Sequence, residues 1–306
     1  MLDLAIIIVS WNVRDYLAGC LSSLYRDLSR SRLSGKVWVV DNGSTDGTQS
    51  LLHDLYPKAH LIENERNVGF GAANNLGMKA ALEQEKEIRY FLLLNPDTII
   101  RAGALNQLIS CLEDCSETGM VGARLVYGDG RFQHSAFAFP GLTQLAFDLL
   151  PVPGRLYESR FNGRYPRHLF MSGRAPFTVD FVLGAAMLVR RDVAEATGGF
   201  DESFHMYCEE IDWCWRIREA GWKIKAVPEA EIVHFGGEST KQVPAESIVN
   251  LWRSRALLYS KHQTRLKRFL ARHIAQYGLI RKAAQANTSS LQHAYQFAAQ
   301  EWRSGD

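Results

Sequence analysis

Arg89-Tyr90-Phe91-Leu92-Leu93-Leu94-Asn95-Pro96-Asp97-Thr98 is the stretch that decides the fold. Tyr90 to Leu94 is an unbroken apolar run, too short for a membrane span or an independent helix, and reads as a parallel strand buried on both faces. Asn-Pro then stops it, because proline has no amide proton to give a sheet and pushes the residue before it into an extended conformation. Asp97 is thereby set just past the carboxyl end of a central strand, where open α/β sheets bind ligands. An ordinary strand-to-loop turn would look the same in isolation, so the flanking sequence has to decide.

Toward the N-terminus, Leu4 to Val9 is a first strand ending on Ser10-Trp11-Asn12. The helix after it sets Leu17, Leu21 and Leu24 on one face, with Asn12 or Asp15 as cap. Lys36 to Val40 is a second strand that breaks at Asp41-Asn42-Gly43-Ser44-Thr45-Asp46-Gly47, followed by a helix over residues 48–55. Such a segment is either a plain turn with a helix cap or a loop whose amides and carboxylates hydrogen-bond a base or ribose while glycine lets the backbone approach. His60 to Glu63 is a third strand. The stretch Asn67-Val68-Gly69-Phe70-Gly71-Ala72-Ala73-Asn74-Asn75-Leu76-Gly77 is glycine-rich like a phosphate loop. It fits neither the dinucleotide pattern, which belongs at the first strand's turn, nor the P-loop Gly-Lys-Ser/Thr, and this sets aside a nicotinamide-dependent oxidoreductase. A helix over about residues 71–85 holds Asn74 and Asn75 in its first turns, facing the site.

Toward the C-terminus, a helix over 102–115 carries Leu105, Leu108, Ile109 and Leu112 on one face, and 120–127 with 129–131 reads as an edge hairpin. Residues 132–176 hold five prolines among aromatic and basic residues, so an irregular insertion is expected there: a lid or substrate wall, an ordered excursion, or an oligomer contact. Sheet character returns at 177–189, where Gly184-Ala185-Ala186 would let a ligand approach the backbone. Glu209, Glu210 and Asp212 open a helix beside Trp213 and Trp215. First-turn acids suit the helix dipole, yet like charges held together also raise a carboxylate's pKa and poise a general base. Residues 222–227 form a last strand, after which His234 is delivered to the Gly236-Gly237 backbone. A lone histidine is more often structural; its company here makes it a candidate for function.

The chain has 306 residues, 46% of them apolar, enough for a full core in one large or two modest domains. Five cysteines, odd in number and without Cys-x-x-Cys spacing, are expected as reduced buried thiols and not as a disulfide framework or zinc site. Met1 to Val9 lacks a basic n-region, and no apolar run is long enough to span a bilayer, so a cytoplasmic protein is expected. Between Ser247 and Gln300 stand nine Lys or Arg and no Asp or Glu, which leaves the preceding sequence net negative. Residues 245–279 read as one amphipathic basic helix. Its two readings are peripheral contact with an anionic membrane surface, at the inner face of the cell membrane, and a helix packed on its own domain with a solvated basic face. Nucleic-acid binding has charge in its favour and no recognition motif, and is not expected.

Taken in order, these motifs resemble the GT-A inverting glycosyltransferases of family 2, the group that includes bacterial rhamnosyltransferases of cell-envelope polysaccharide assembly. The resemblance rests on Val9-Ser10-Trp11-Asn12, residues 40–47, Asn-x-Gly-Phe-Gly-x-x-Asn-Asn-x-Gly at 67–77, Leu-Leu-Asn-Pro-Asp at 93–97, Gly-Gly-Phe-Asp-Glu at 198–202, Glu-Glu-x-Asp-x-x-x-Arg at 209–216, and His234. It implies an α/β, GT-A (Rossmann-like) fold with a mostly parallel mixed central sheet plus a helical basic C-terminal extension. Residues 1–240 would form the glycosyltransferase domain, with 1–100 its nucleotide-binding half and 101–240, insertion 132–176 included, its acceptor-binding and catalytic half; 241–306 would be the extension. Nucleotide-sugar contacts are implied for Ser10, Asn12, Asp41, Asn42, Asp46, Asn67, Gly69, Asn74, Asn95, Asp97 and Gly184. Asp97 corresponds to the last aspartate of the family's metal-binding Asp-x-Asp, with Asn95 in place of the first, where it binds ribose or a metal-bound water. His234 resembles the histidine that completes the shell of Mg²⁺ or Mn²⁺. Glu210 stands where the family's base is commonly Asp, with Glu209 and Asp212 as rivals for the base or its support. The implied reaction moves a sugar, L-rhamnose from dTDP-L-rhamnose or the sugar of a UDP-sugar, to a lipid-linked or growing glycan. A non-catalytic sugar-nucleotide-binding protein would lose the acids that are present here. A homo-oligomer is compatible with all of this.

Overall fold

In the computed structural model, which describes residues 1–304, strands and helices alternate through the first third of the chain. They are β1 (Leu2–Ser10), α1 (Arg14–Arg30), β2 (Gly35–Asp41), α2 (Thr48–Leu55), β3 (His60–Glu63), α3 (Phe70–Gln84) and β4 (Ile88–Leu94). Next come β5 (Thr98–Ile100), α4 (Ala104–Asp114), β6 (Thr118–Val126) and the short pieces β7 (Phe132–Gln133), β8 (Ala136–Phe137), α5 (Leu142–Leu149), α6 (Gly154–Tyr157), β9 (Phe177–Val179) and β10 (Phe181–Val182). The chain ends with β11 (Ala186–Arg190), α7 (Arg191–Thr197), α8 (Glu209–Glu219), β12 (Lys223–His234), α9 (Pro244–His262), α10 (Arg265–Ala284) and α11 (Ser289–Ser304).

The main sheet runs β3-β2-β1-β4-β11-β6-β12-β5, with β7 added to β6 and β9 to β12. Its longest ladders, β1 with β2, β1 with β4 and β6 with β12, are parallel. The chain steps outward from β1 through β2 to β3 and then restarts on the other side at β4. The carboxyl ends of β1 and β4 therefore flank a topological switch point, where such sheets form a crevice. Tyr90 to Leu94 is the buried strand expected, parallel to β1 but antiparallel to β11. An apolar run reports that both faces are covered; it does not report the direction of a neighbour. The pleat then sorts side chains by face. Ile6, Ile8, Leu92 and Leu94 pack under α1 and α4, while Ile7, Phe91 and Leu93 pack under α3 and α8 with Met78, Trp213 and Ile217.

Several expectations are corrected. β6 is no edge strand: it lies between β11 and β12, and its nearly unbroken burial requires a neighbour on each side, whereas its hairpin partner β7 pairs only at Phe132 and Gln133. Neither Asn12 nor Asp15 caps α1. The cap position is Val13, and Asn12, at φ 53°, spends its Oδ1 on the Thr45 amide instead. The strand at 222–227 continues through a register shift to His234 as one element. The expected single helix over 245–279 is two, because Thr264 leaves the helical backbone and its hydroxyl accepts the Lys267 amide to start α10. These helices, with α11 and α5 of the insertion, enclose a core of Leu145, Leu149, Trp252, Tyr259, Leu279 and Trp302.

Candidate active site

A cavity of about 250 Å³ opens at the switch point, lined among others by Trp11, Asn42, Asn67, Asn95, Asp97, Gly184, Tyr207, Glu209, Glu210, His234 and Glu238. Its floor is a web of amides. Asn42 Nδ2 donates to Asn67 Oδ1 at 3.2 Å and to the Gly69 carbonyl at 3.2 Å, and Asn64 donates to Asn42 Oδ1 at 2.8 Å. Gly69 lies beneath. Its φ is 94°, and a Cβ there would sit 2.2 Å from the His205 carbonyl oxygen, so only glycine lets the two loops cross.

The wall is built where β4 ends. The Asn95 amide donates to the Ala185 carbonyl at 2.9 Å, and the Asn95 carbonyl accepts the Thr98 hydroxyl at 2.7 Å, closing a tight turn. Asp97 is tied to the end of β12: its carbonyl accepts from Phe235 at 3.0 Å, and its Oδ2 from the Gly236 amide at 3.1 Å. His234 Nε2 lies 3.4 Å from Asp97 Oδ1 and 3.4 Å from Asn95 Nδ2, while Nδ1 lies 3.2 Å from Gln133 Oε1. A carbonyl oxygen only accepts, so Nδ1 holds the proton and Nε2 turns toward Asp97. Two acceptors so placed are satisfied by a second proton on the imidazole or by a cation shared between them. Burial works against the Asp97 charge, but His234 and the backbone amides outweigh it and hold the carboxyl below its ordinary range. Among the described residues no cluster of three or more His, Cys, Asp or Glu forms a closed metal cage. One carboxylate and one imidazole fit instead a hard divalent cation that completes its shell with water and substrate phosphate.

The acids opposite come from the start of α8. Tyr207 and Cys208 both adopt left-handed backbone, φ 68° and 67°, a strained pair of non-glycine residues that turns the chain sharply into the helix. Glu209 is buried at 5% exposure and Glu210 half-buried, and each has one carboxylate oxygen, Oε2, buried with no partner among the described residues. Burial pushes both carboxyls up. Glu210 reaches about 7, and Glu209 is raised well above its usual range by burial and then by the charge of Glu210. Glu210, Leu183 and Tyr207 also line a second cavity of about 250 Å³, walled by Phe137, Tyr157 and Arg164 of the insertion and by Arg255 and Tyr259 of α9.

The remaining expected residues sit outside these linings. Ser10 is buried with its hydroxyl unpartnered among the described residues. Asp41 accepts from the Ser44 amide and Gln49, and Asp46 accepts the Thr48 hydroxyl at 2.6 Å and the Arg14 amide at 2.8 Å. Asn74 donates back to the Phe70 carbonyl, and Asn75 clamps Phe200 in the 198–202 turn. These side chains and Asn12 shape the loops behind the first cavity. Asp212 is turned away. Wholly unexposed, it meets Arg216 at 2.9 Å, Lys261 at 2.7 Å and His262 at 2.8 Å. Burial opposes its charge, but His262, Lys261 and Arg216 hold its pKa far below the usual carboxylate range. Asp212→Asn is expected to cost about 3 kcal/mol in urea unfolding at neutral pH, the low end for a partner removed from a buried ion network, because Lys261 and Arg216 keep other acceptors. Since the folded pKa is depressed, the gap to wild type should be complete above about pH 4 and shrink as pH falls below it. The rate per folded molecule should change less than about tenfold, as a residue outside both cavities requires.

Gln133, Trp11, Tyr207, Glu238 and the second cavity were not among the sequence expectations. A family model described as Glycosyl transferase family 2 matches residues 5–197. The N-acetylglucosaminyl-diphospho-decaprenol L-rhamnosyltransferase of Mycobacterium tuberculosis is 29% identical over 252 residues, 80% of each chain. Rhamnosyltransferase WbbL of Escherichia coli is 27% identical over 235 residues, 75% of this chain and 82% of that one. Among solved structures, the mannosyltransferase PcManGT of Pyrobaculum calidifontis, in complex with GDP-Man and Mn²⁺, superposes with a TM-score of 0.59 at 16% identity, covering 98% of this chain and 87% of that one. At that identity the likeness is one of fold.

Proposed function

This chain belongs to glycosyl transferase family 2, and from that premise we propose that it is an inverting rhamnosyltransferase, moving L-rhamnose from dTDP-L-rhamnose to a hydroxyl of a lipid-linked or growing cell-envelope glycan. The observation that carries the reading is the position of Glu210, the one candidate acid that lines both cavities. A general base must touch the acceptor hydroxyl while facing the sugar to be transferred. The first cavity takes the donor: Asn67 and Asn95 offer amides to nucleoside and ribose, Asn42 holds Asn67 in place from the floor, and Gly184 leaves room beside Glu210. The second takes the acceptor's terminal sugar. Its aromatic walls suit a pyranose face, its arginines are already matched by Asp148 and Glu158, and it is far too small for a whole lipid-linked glycan.

Asp97 and His234 would hold Mg²⁺ or Mn²⁺. Such an ion, when bound, neutralises charge on the departing nucleoside diphosphate. Glu210 takes the proton from the acceptor hydroxyl as its oxygen attacks the anomeric carbon from the face opposite the diphosphate. Glu209, the more deeply buried of the two, keeps a proton and leaves the more exposed Glu210 the ionised member of the pair. In this reading residues 1–100 supply the donor half, residues 101–240 the acid pair and acceptor wall, and the helices after 240 close the acceptor cavity.

The test is donor hydrolysis without acceptor, comparing dTDP-L-rhamnose with UDP-glucose, UDP-galactose and UDP-N-acetylglucosamine. Hydrolysis of dTDP-L-rhamnose should be the fastest by about tenfold or more, vanish on chelation and return with Mg²⁺ or Mn²⁺. Faster hydrolysis of a UDP-sugar would replace the donor, and full activity after chelation would remove the cation.

A further inference from the structure

Helix α10 is packed inside out. Its buried side consists of Ala271, Ala275, Gly278, Leu279 and Ala283, small enough for Gly278 to lie against Leu149 of α5, where a Cβ would come within 2.5 Å. Its large apolar residues point the other way: Leu266, Phe269, Leu270, Tyr277 and Ile280 are 69, 58, 40, 67 and 50% exposed. The spacing 266, 269, 270, 273, 277, 280 is one helical face, with His273 its sole polar member, and it extends about 21 Å along the axis. Scattered exposed apolar residues need no explanation, but a continuous stripe opposite a helix's buried side marks a contact surface. Exposed Arg265 and Lys267 flank it at its start, and no acidic residue occurs between Ser247 and Gln300.

We propose that this outer face of α10 is a docking surface for an anionic lipid bilayer, on which the helix lies in the interface plane. The charge pattern selects that occupant. A second copy meeting the face symmetrically would set base against base, Arg265 and Lys267 against their own counterparts in a parallel pairing or toward Arg281 and Lys282 in an antiparallel one, with no carboxylate on either α10, whereas anionic headgroups complement both the basic flanks and the apolar stripe. No described helix is long and apolar enough to cross a membrane, so this contact lies on the bilayer and does not span it. The placement deepens the acceptor reading given above. α5, held between α10 and the second cavity, contributes Gln144, Leu145 and Asp148 to that cavity, so the proposed acceptor site stands two helix layers, α5 and α10, from the lipid surface.

The test uses the full chain and vesicle flotation at about 0.15 M salt, with phosphatidylcholine alone or with about 30% phosphatidylglycerol. Wild type should bind the anionic vesicles about tenfold or more over the neutral ones. The triple variant Leu266→Ser/Phe269→Ser/Tyr277→Ser should lose about tenfold or more of that binding, and Arg265→Gln/Lys267→Gln should lose most of the preference for anionic lipid. All of these residues are exposed and outside both cavities, so thermal melting and transfer to a water-soluble acceptor should match wild type. Equal binding to both vesicle types, no binding, or undiminished binding by the triple variant overturns the proposal. So does a wild-type dimer in light scattering that the triple variant makes monomeric, which would give the face to a second copy. Flotation needs no catalysis: a protein that transfers sugar without floating refutes the docking face alone, and one that floats without transferring refutes the enzymatic reading alone.

Discussion

Asp97→Asn should lower sugar transfer by about 10³-fold with a protein that still folds, because the substitution keeps the shape of the side chain and removes its charge. The backbone anchors of this position survive: the Phe235 amide still finds the residue 97 carbonyl, and an amide oxygen can still accept from Gly236. What is lost is the carboxylate that stands beside His234 at the end of β4. An amide is a poor ligand for a hard cation, so apparent affinity for Mg²⁺ or Mn²⁺ should fall along with the rate, and excess metal should restore only part of it. Transfer measured over a metal titration, with circular dichroism to confirm the fold, decides the matter. A variant that keeps more than about a tenth of the wild-type rate at the same metal dependence would free Asp97 of this role.

How far that site could be foreseen depends on whether each signal was local. The strand at Tyr90 to Leu94, the helix Thr48–Leu55 and the strand His60–Glu63 come from periodicity and turn chemistry within a few residues, and they stand where expected. The interior place of β6 and the antiparallel β11 beside β4 are set by pairing across the sheet, which leaves the same apolar run in the sequence whatever the neighbour's direction. Tyr207 and Cys208 carry no glycine or asparagine to announce a left-handed backbone, so the sharp entry into α8 was silent. Gln133, which orients His234, is 101 residues from it, and the second cavity draws on residues 137–164 and 251–259 at once. Asp212 is different. Two residues from Glu210 on a helix, it cannot share that residue's face, so the geometry of α8 alone separates the two.

Glu210→Gln should cut kcat by about 10³-fold while changing KM for the donor less than about threefold, since the amide keeps the side chain's volume and loses its ability to take a proton. The pH profile distinguishes this from a merely structural loss. Burial disfavours the ionised carboxylate and raises Glu210 to about 7, and the base works only when ionised. Wild-type kcat/KM should therefore be full above neutrality and fall about tenfold per unit on the acid side. In Glu210→Gln the small residual rate should lack that limb. Glu209→Gln should keep it, because Glu209 reaches only the first cavity and no acceptor hydroxyl in the second. A limb that persists in Glu210→Gln and disappears in Glu209→Gln would move the base one residue back along α8. The acceptor would then have to reach through the wall of Leu183 and Tyr207 to find it, and the division into donor and acceptor cavities would fail with the assignment.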